Sequence, residues 1–291
     1  MIFGKDVHIH RKISLPLAFG KCDIMGNTSS EIWIAFGLTL LAGLSTGIGS
    51  LLAFLAKRTN TKFLSASLGL SAGVMIYVSF MELMPESVAL LAGIHSERMA
   101  EVIMLGTFFL GIAFIALIDW LVPEAENPHE VHRDSDYAYL DKEQDKKKLK
   151  RTGVMMMMAI AIHNFPEGLA TFASALTNWD VALPIVFAIA IHNIPEGIAV
   201  SVPIYHATGD RKKAFTYSFL SGLAEPAGAV LGYLFLRPFW TPTLNASLLA
   251  FVSGIMVYIS FDELLPGTER YGHHHLGIAG VGLFLHLDQR R

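Results

Sequence analysis

The hydrophobic positions of this chain fall into eight long runs, separated by short polar segments. Seven of the runs hold about 20 residues, the length that an α-helix needs to cross the apolar core of a bilayer. The eighth holds about a dozen and would reach only ~18 Å at 1.5 Å per residue, so we expect it to gain a turn from residues 271–275. The pattern therefore predicts eight transmembrane helices, near residues 32–56, 63–84, 102–122, 154–176, 181–204, 214–236, 244–265 and 276–287.

Composition supports the same class of protein. Hydrophobic residues make up 53% of the 291 residues and charged residues 16%, with a mean hydropathy of +0.47, whereas soluble domains carry about 25% charged residues. We predict an all-α integral membrane protein with the lipid bilayer as its surroundings. The net charge of −3 gives no reason to expect a nucleic-acid partner. The single cysteine, Cys22, excludes an internal disulfide and a thiolate metal site.

Two polar regions lie outside the apolar runs. Residues 1–30 contain no run long enough to cross a membrane, and we predict a disordered tail. Residues 31–291 form a single transmembrane domain, interrupted by a charged loop at 123–152. The loop carries His129 and His132, and a second histidine run occupies residues 273–275. A solvated linker is the simpler interpretation of both histidine groups, and a weak metal-collecting segment is the alternative.

The distribution of basic residues predicts the orientation of the chain. The loops after spans two, four and six hold only Arg98 and Arg237, whereas Lys and Arg are concentrated after spans one, three, five and seven. Basic loops stay in the cytoplasm. We therefore expect loop 123–152 to be cytoplasmic and both termini to lie outside.

The chain also contains an internal repeat. Residues 73–85 (GVMIYVSFMELMP) match residues 254–266 (GIMVYISFDELLP), and span one matches span six more weakly, with Gly43 aligned to Gly222 and Thr46 to Glu225. Each copy lies an odd number of crossings from its partner, so the copies are inverted in the membrane. This order predicts a 3+2+3 bundle with spans four and five at the centre. Inverted repeats of this kind are typical of secondary transporters.

Spans four and five carry nearly the same motif, HNFPEG at 163–168 and HNIPEG at 192–197. In each copy the histidine and glutamate are four residues apart and lie on one helix face, with the asparagine next to them. Two such faces would bring together two imidazoles, two carboxylates and two amides. We predict an intramembrane divalent-metal site made by His163, Asn164, Glu167, His192, Asn193 and Glu196.

Two features of the motif favour metal binding over a purely structural role. Pro166 and Pro195 remove backbone donors, so we expect a kink and an unbonded carbonyl in each helix. A carboxylate at mid-membrane costs at least about 2.5–3.5 kcal/mol, which a divalent cation would offset. Neutral imidazole with carboxylate suits zinc, iron, manganese and cobalt. Binding requires unprotonated histidines, so we expect the metal affinity to fall as the pH drops through about 6.5.

Further acidic residues lie in the apolar runs. Glu225 stands beside Pro226 in the segment GLAEPAG at 222–228, and we predict that it is an additional ligand, with a structural carboxylate as the alternative. Glu82, Asp262 and Glu263 lie near the ends of spans two and seven. They either line a path for cations or sit at the membrane interface, and the sequence leaves both open. The methionine run at 155–158 is better explained as apolar packing than as a soft-metal site.

These motifs resemble the ZIP (Zrt/Irt-like) metal transporters, and within them the bacterial ZupT-like branch. The resemblance rests on the two HNxPEG motifs, on Glu225 in its GLAEPAG context and on the repeated FxELxP, and it covers about residues 32–271. It implies a protein without catalytic cofactor that moves Zn²⁺, and also Fe²⁺, Mn²⁺ or Co²⁺, into the cytoplasm across the bacterial inner membrane. Alternating access and a homodimer are further implications.

The resemblance also implies a binuclear site. His163, Glu167, His192 and Glu196 would hold one metal ion. A neighbouring ion would be held by Asn164, Asn193 and Glu225, with Glu167 and Glu196 bridging the two.

Other classes of protein are less consistent with the sequence. The main alternative is a membrane-embedded zinc-dependent hydrolase, which needs an open coordination position and a general base beside a water, but no HExxH motif occurs. A metal-gated channel or sensor is a third interpretation, although strong ligands oppose fast conduction. An ATP-driven pump is disfavoured because the chain has no GxxxxGK[ST] motif. We therefore predict a transporter and not an enzyme.

Overall fold

The computed structural model describes residues 28–55, 61–121, 143–177, 179–270 and 273–288. Within these ranges there is no β-strand, and the regular structure is helical. The α-helices are α1 Ser29–Leu55, α2 Thr61–Val78, α3 Met84–Ala92, α4 Glu97–Leu121, α5 Glu143–Thr177, α6 Trp179–Thr208, α7 Arg211–Gly222, α8 Ala224–Leu236, α9 Pro242–Ile259, α10 Leu265–Arg270 and α11 His274–Asp288. The first 27 residues of the predicted tail, and the loop segment with His129 and His132, lie outside the described residues.

Within its described residues, every predicted apolar run corresponds to helix, but three runs are divided. Span two comprises α2, a π-helical turn at Ser79–Leu83 and α3, and span seven comprises α9, a second π-helical turn at Ser260–Leu264 and α10. Span six divides into α7 and α8. Helix α5 begins at Glu143, so residues 143–152, which we expected in the charged loop, are helical. The long basic segment before the first motif extends that helix.

Six segments of the described residues are long and apolar enough to cross a membrane. They are Ser29–Phe54, Ser65–Ala92, Glu97–Leu121, Ala182–Thr208, Arg211–Phe239 and Pro242–Glu269. Helix α5 combines a charged N-terminal part with the polar motif, and α11 has only 15 residues, so neither is among the six. The protein is an all-helical integral membrane protein. The predicted count of eight spans remains a prediction.

The surface and the interior support this class. Large apolar side chains face outward, such as Trp120 at 78% exposed and Phe235 at 71%. Many polar side chains are fully buried, Thr39, Ser50 and Ser71 among them. An apolar surface over a polar interior suits a bilayer, because lipid tails are as apolar as the side chains that face them.

The internal repeat is visible in the helix packing. The two π-helical turns lie 181 residues apart in the chain, at the same position of the repeat. Helix α2 packs on α11 as α4 packs on α9, and α1 packs on α6 as α5 packs on α8. These pairs are equivalent when span one is aligned with six, two with seven, three with eight and four with five. The π-helical turns were not predicted, although such turns are frequent at functional sites.

Glycines let the central helices approach closely at Gly168 and Gly197. A Cβ at Gly168 would overlap the backbone carbonyl of Glu225, and a Cβ at Gly197 would overlap that of Thr46. The two contacts are equivalent in the repeat. This packing holds α8 against α5 and α1 against α6, so it determines where Glu225 and Thr46 stand relative to the motifs.

Candidate metal centre

Helices α5 and α6 pack side by side and place both motifs in the interior. His163, Asn164 and Glu167 lie on α5, and their counterparts lie on α6. Glu225 lies in the first turn of α8. All of the predicted ligands are buried, and none of their side chains is more than 3% exposed.

The histidines and glutamates pair across the two helices. Nε2 of His163 lies 3.3 Å from Oε1 of Glu196, and Nε2 of His192 lies 3.4 Å from Oε2 of Glu167. A third separation, from His192 Nε2 to Glu196 Oε1, is 3.9 Å. Two ligand atoms bound tetrahedrally to zinc are about 3.3–3.6 Å apart, given bond lengths of about 2.0–2.2 Å. The crossed pairs are hydrogen-bonded contacts, and their separations are also compatible with two ligands of one ion.

The asparagines are oriented by backbone carbonyls of the flanking helices. The Asn164 side-chain amide donates to the Ser221 carbonyl at 3.4 Å, and the Asn193 amide donates to the Ala42 carbonyl at 3.0 Å. Ala42 and Ser221 are equivalent in the repeat, so the two contacts match. The Asn193 amide also donates to Oε1 of Glu225. These bonds occupy the amide nitrogens and leave the amide oxygens available.

Several acceptor atoms in this cluster have no hydrogen-bond partner among the described residues. They are Oδ1 of Asn164 and Asn193, Oε1 of Glu167, and Oε2 of Glu196 and Glu225. A buried polar atom without a partner costs about 1–3 kcal/mol, and more when charged. Five such oxygens beside two imidazoles are the donor set that a divalent transition-metal ion accepts.

The side chains are paired with each other in this structure. In the described residues, no three His, Cys, Asp or Glu side chains are already arranged to hold a metal ion. A cation would therefore replace the His–Glu contacts, and small side-chain rotations would turn Nε2 and the carboxylates towards it.

The prolines of the motifs do not interrupt their helices. Helix α5 continues through Pro166, and α6 continues through Pro195 as well as Pro184 and Pro203. The expected kinks thus do not break either helix, because both are packed tightly along their length. The His and Glu of each motif stay one turn apart on a common face.

The other acidic candidates lie apart from the motif pair in the chain. Glu82 and Glu263 belong to the two π-helical turns, and Tyr258 donates its hydroxyl to Asp119 at 3.4 Å. A cation path and an interfacial position both stay predictions for these residues. In the methionine run, Met156 packs with Ile160 and Val200, which agrees with the packing interpretation.

Fold and site together define a polytopic helical membrane protein with an internal repeat and a buried cluster of histidines, glutamates and asparagines between α5, α6 and α8. Comparison with known proteins identifies the family. The model of the ZIP zinc transporter family matches residues 121–286, more than half of the chain. The chain belongs to the ZIP family.

Individual relatives are similar over nearly their whole length. The chain is 57% identical to the zinc transporter ZupT of Nitratidesulfovibrio vulgaris over 257 residues, which are 86% of this chain and 93% of the relative. It is 55% identical to the zinc transporter ZupT of Clostridium perfringens over 267 residues, which are 88% of this chain and 94% of the relative. It is 56% identical to the zinc transporter ZupT of Streptococcus mutans over 253 residues, which are 87% of this chain and 94% of the relative.

The hydrolase alternative has no support from these matches. The pattern GxSxG of serine hydrolases does occur twice, at 43–47 and 69–73. In those enzymes it forms a strained turn between strand and helix, whereas both copies here lie inside helices α1 and α2. Their glycines serve helix packing instead, since a Cβ at Gly43 would meet the Gly222 carbonyl.

Proposed function

We propose that this protein is a secondary transporter that moves divalent metal ions, Zn²⁺ foremost, across the bacterial inner membrane into the cytoplasm. The observation that carries the proposal is the crossed pairing of His163 with Glu196 and of His192 with Glu167, buried between two membrane helices. The relatives named zinc transporters support zinc as the cargo. The protein is a transporter and not an enzyme, and metal is its substrate.

The proposed architecture is one transport domain of eight spans over residues 31–291. The equivalent packing of α2 on α11 and of α4 on α9 supports a 3+2+3 arrangement. In this arrangement α5 and α6 form the central pair, and the loop at 123–152 is cytoplasmic. The homodimer is carried over from the family resemblance alone.

The proposed site is binuclear. The first ion is held by His163, Glu167, His192 and Glu196. The second is held by Asn164, Asn193 and Glu225, with Glu167 and Glu196 bridging. The Asn193–Glu225 contact and the partnerless oxygens on both amides support this division. The nitrogen and oxygen donors accept Fe²⁺, Mn²⁺ and Co²⁺ as well as Zn²⁺.

Transport then follows from what the side chains do in the absence and presence of the ion. Without an ion, each glutamate accepts from the histidine of the other helix, which limits the cost of burying charge. A bound ion contacts the histidines and the glutamates in place of these hydrogen bonds, and its positive charge neutralises the carboxylates. The loaded site therefore has less charge to bury, which lets the helices close over it and reopen on the other side in alternating access.

The function is tested by zinc uptake into sealed liposomes that contain the purified protein. A transporter accumulates zinc only while the vesicle is closed, and a divalent-metal ionophore releases it. A hydrolase would work equally in detergent without any gradient. Zinc bound by the protein without accumulation inside the vesicle would contradict transport.

Glu225→Gln is expected to lower the number of bound metal ions from two to one per chain. The substitution keeps the shape of the side chain but removes the charge from the second site, and it leaves the four ligands of the first site in place. Metal counting on the purified protein, with equilibrium binding of Zn²⁺, measures the change. Two ions at unchanged affinity would mean that Glu225 is not a ligand.

A reactive tag inserted after Leu140 is expected to be protected from impermeant reagents in intact cells and labelled after lysis. The reason is the concentration of Lys and Arg in the loop at 123–152, which favours the cytoplasm. A tag at the N-terminus serves as the opposite control and should be labelled in intact cells. Labelling at 140 in intact cells would invert the topology.

A further inference from the structure

We propose that Thr46 contributes its hydroxyl oxygen to the cation site, as the neutral counterpart of Glu225. The inference rests on the proposed function of the site and adds a residue from α1 that neither motif contains. Thr46 would make the site chemically asymmetric, with a carboxylate on one side of the repeat and a hydroxyl on the other.

The first line of evidence is position. Thr46 and Glu225 are aligned in the repeat, and their surroundings match. An ideal Cβ on Gly43 would lie 3.3 Å from Cβ of Glu225, and one on the equivalent Gly222 would lie 2.8 Å from Cβ of Thr46. The backbone carbonyls of Thr46 and Glu225 each face the glycine that ends an HNxPEG motif. The two side chains therefore start from equivalent points beside α6 and α5.

The second line of evidence is the hydroxyl of Thr46. A threonine inside a helix commonly donates to the carbonyl four residues earlier, as Thr39, Thr107 and Thr208 do in this protein. Thr46 Oγ1 makes no such bond. It has no hydrogen-bond partner among the described residues, although Thr46 is fully buried.

The reason lies in the carbonyl that Thr46 would use. The carbonyl of Ala42 already accepts from Oγ of Ser45 at 2.6 Å and from the Asn193 amide at 3.0 Å. Because Ala42 lies inside α1, its carbonyl also accepts the helical N–H of the residue four positions later. A carbonyl oxygen has only two lone pairs, so three donors already exceed them before the Thr46 hydroxyl is counted. The same asparagine that belongs to the proposed site thereby takes the bond that would hold the Thr46 hydroxyl back against its own helix.

The third line of evidence is the asparagine on the other side. Asn193 contacts Glu225, and the repeat-equivalent combination is Asn164 with Thr46. Oδ1 of Asn164 and Oγ1 of Thr46 both lack a partner among the residues described. Two buried oxygens without partners, at the position equivalent to a charged ligand, are explained together by a cation that binds between them.

A hydroxyl in this position has a predictable chemical effect. It adds a hard oxygen donor without adding charge, so the site keeps three carboxylates. Manganese favours oxygen-rich, six-coordinate surroundings, whereas zinc is satisfied by four nitrogen or oxygen ligands. Loss of the hydroxyl should therefore weaken Mn²⁺ more than Zn²⁺.

The test compares Thr46→Val, which replaces the hydroxyl by a methyl group, with Thr46→Ser, which keeps the oxygen. Thr39→Val is the matched control, since Thr39 is equally buried on α1 but donates to Ala35. In sealed liposomes Thr46→Val should raise the KM for Mn²⁺ on the order of 3- to 10-fold, the effect of one neutral polar contact, with little change for Zn²⁺. Thr46→Ser and Thr39→Val should match the unmodified protein. An unchanged Mn²⁺ to Zn²⁺ ratio in Thr46→Val overturns the proposal.

A second variant keeps the proposal testable if Thr46→Val does not fold. Cys22 is the only cysteine, so Thr46→Cys in a Cys22→Ser background places one thiol at the site. Cadmium binding should then produce a cadmium–thiolate charge-transfer absorption, which Thr39→Cys in the same background should lack. Bound cadmium without this band overturns the proposal. If uptake is lost in Glu167→Ala but unchanged in the Thr46 variants, the role of Thr46 is refuted and the proposed function is not. If the unmodified protein shows no uptake, the proposed function itself is refuted.

Discussion

Glu167→Ala is expected to reduce metal uptake by more than about 100-fold, because even residues that only support a ligand alter metal affinity or activity by 10–100-fold. Glu167 is proposed to bridge the two ions. Its loss also removes the carboxylate oxygen that lies 3.4 Å from Nε2 of His192. Initial rates of Zn²⁺ uptake in sealed liposomes measure the effect. The isosteric Glu167→Gln distinguishes lost charge from lost packing.

Two controls accompany this variant. Glu101→Ala removes an exposed carboxylate on α4, and His129→Ala removes a histidine of the charged loop. Both should transport at nearly the unmodified rate. Equal losses in His129→Ala and Glu167→Ala would contradict a central site on the motif pair and would favour the loop as the metal-binding segment.

Gly168→Ala is expected to destabilise the protein by about 1–3 kcal/mol or more, the range for overpacked interiors, and to reduce uptake strongly. Its Cβ would overlap the backbone carbonyl of Glu225, so α8 must move away from α5. That movement displaces Glu225 from Asn193. Thermal unfolding in detergent and uptake in liposomes measure the two effects.

Gly106→Ala is the matched control, since a Cβ at Gly106 meets no atom within 4 Å. Alanine favours the helix over glycine by about 1 kcal/mol, so Gly106→Ala should leave stability unchanged or raise it. If Gly168→Ala unfolds at the same temperature as Gly106→Ala, the close approach of α5 and α8 is wrong.

Much of this arrangement was predictable because the sequence encodes it locally. The spacing of His163 and Glu167, repeated at His192 and Glu196, follows from helix geometry and needs only that two helices meet. The crossed pairing of His163 with Glu196 and of His192 with Glu167 is a tertiary feature, which the spacing within each motif does not specify. The alignment of Thr46 with Glu225 in the sequence likewise predicted equivalent positions. In the structure each of their carbonyls faces the glycine that ends an HNxPEG motif.

Other features depend on packing that the sequence does not display. The π-helical turns at Ser79–Leu83 and Ser260–Leu264 involve residues that would read equally well as α-helix. The start of α5 at Glu143 was missed because a charged segment indicates a loop when its neighbours are unknown. The freed hydroxyl of Thr46 depends on which side chain occupies the carbonyl of Ala42, a contact between helices far apart in the chain.

The most direct test of the central claim is uptake by the unmodified protein beside the double variant His163→Ala/Glu167→Ala, in sealed liposomes, with Zn²⁺ and Mn²⁺ supplied in turn. We expect accumulation of metal in the first and none in the second, with both proteins folded and inserted to the same extent. The ratio of Zn²⁺ to Mn²⁺ uptake would then establish the metal preference. Equal accumulation by the two proteins would contradict transport through the motif pair. No accumulation by the unmodified protein, with metal still bound, would contradict the transporter itself.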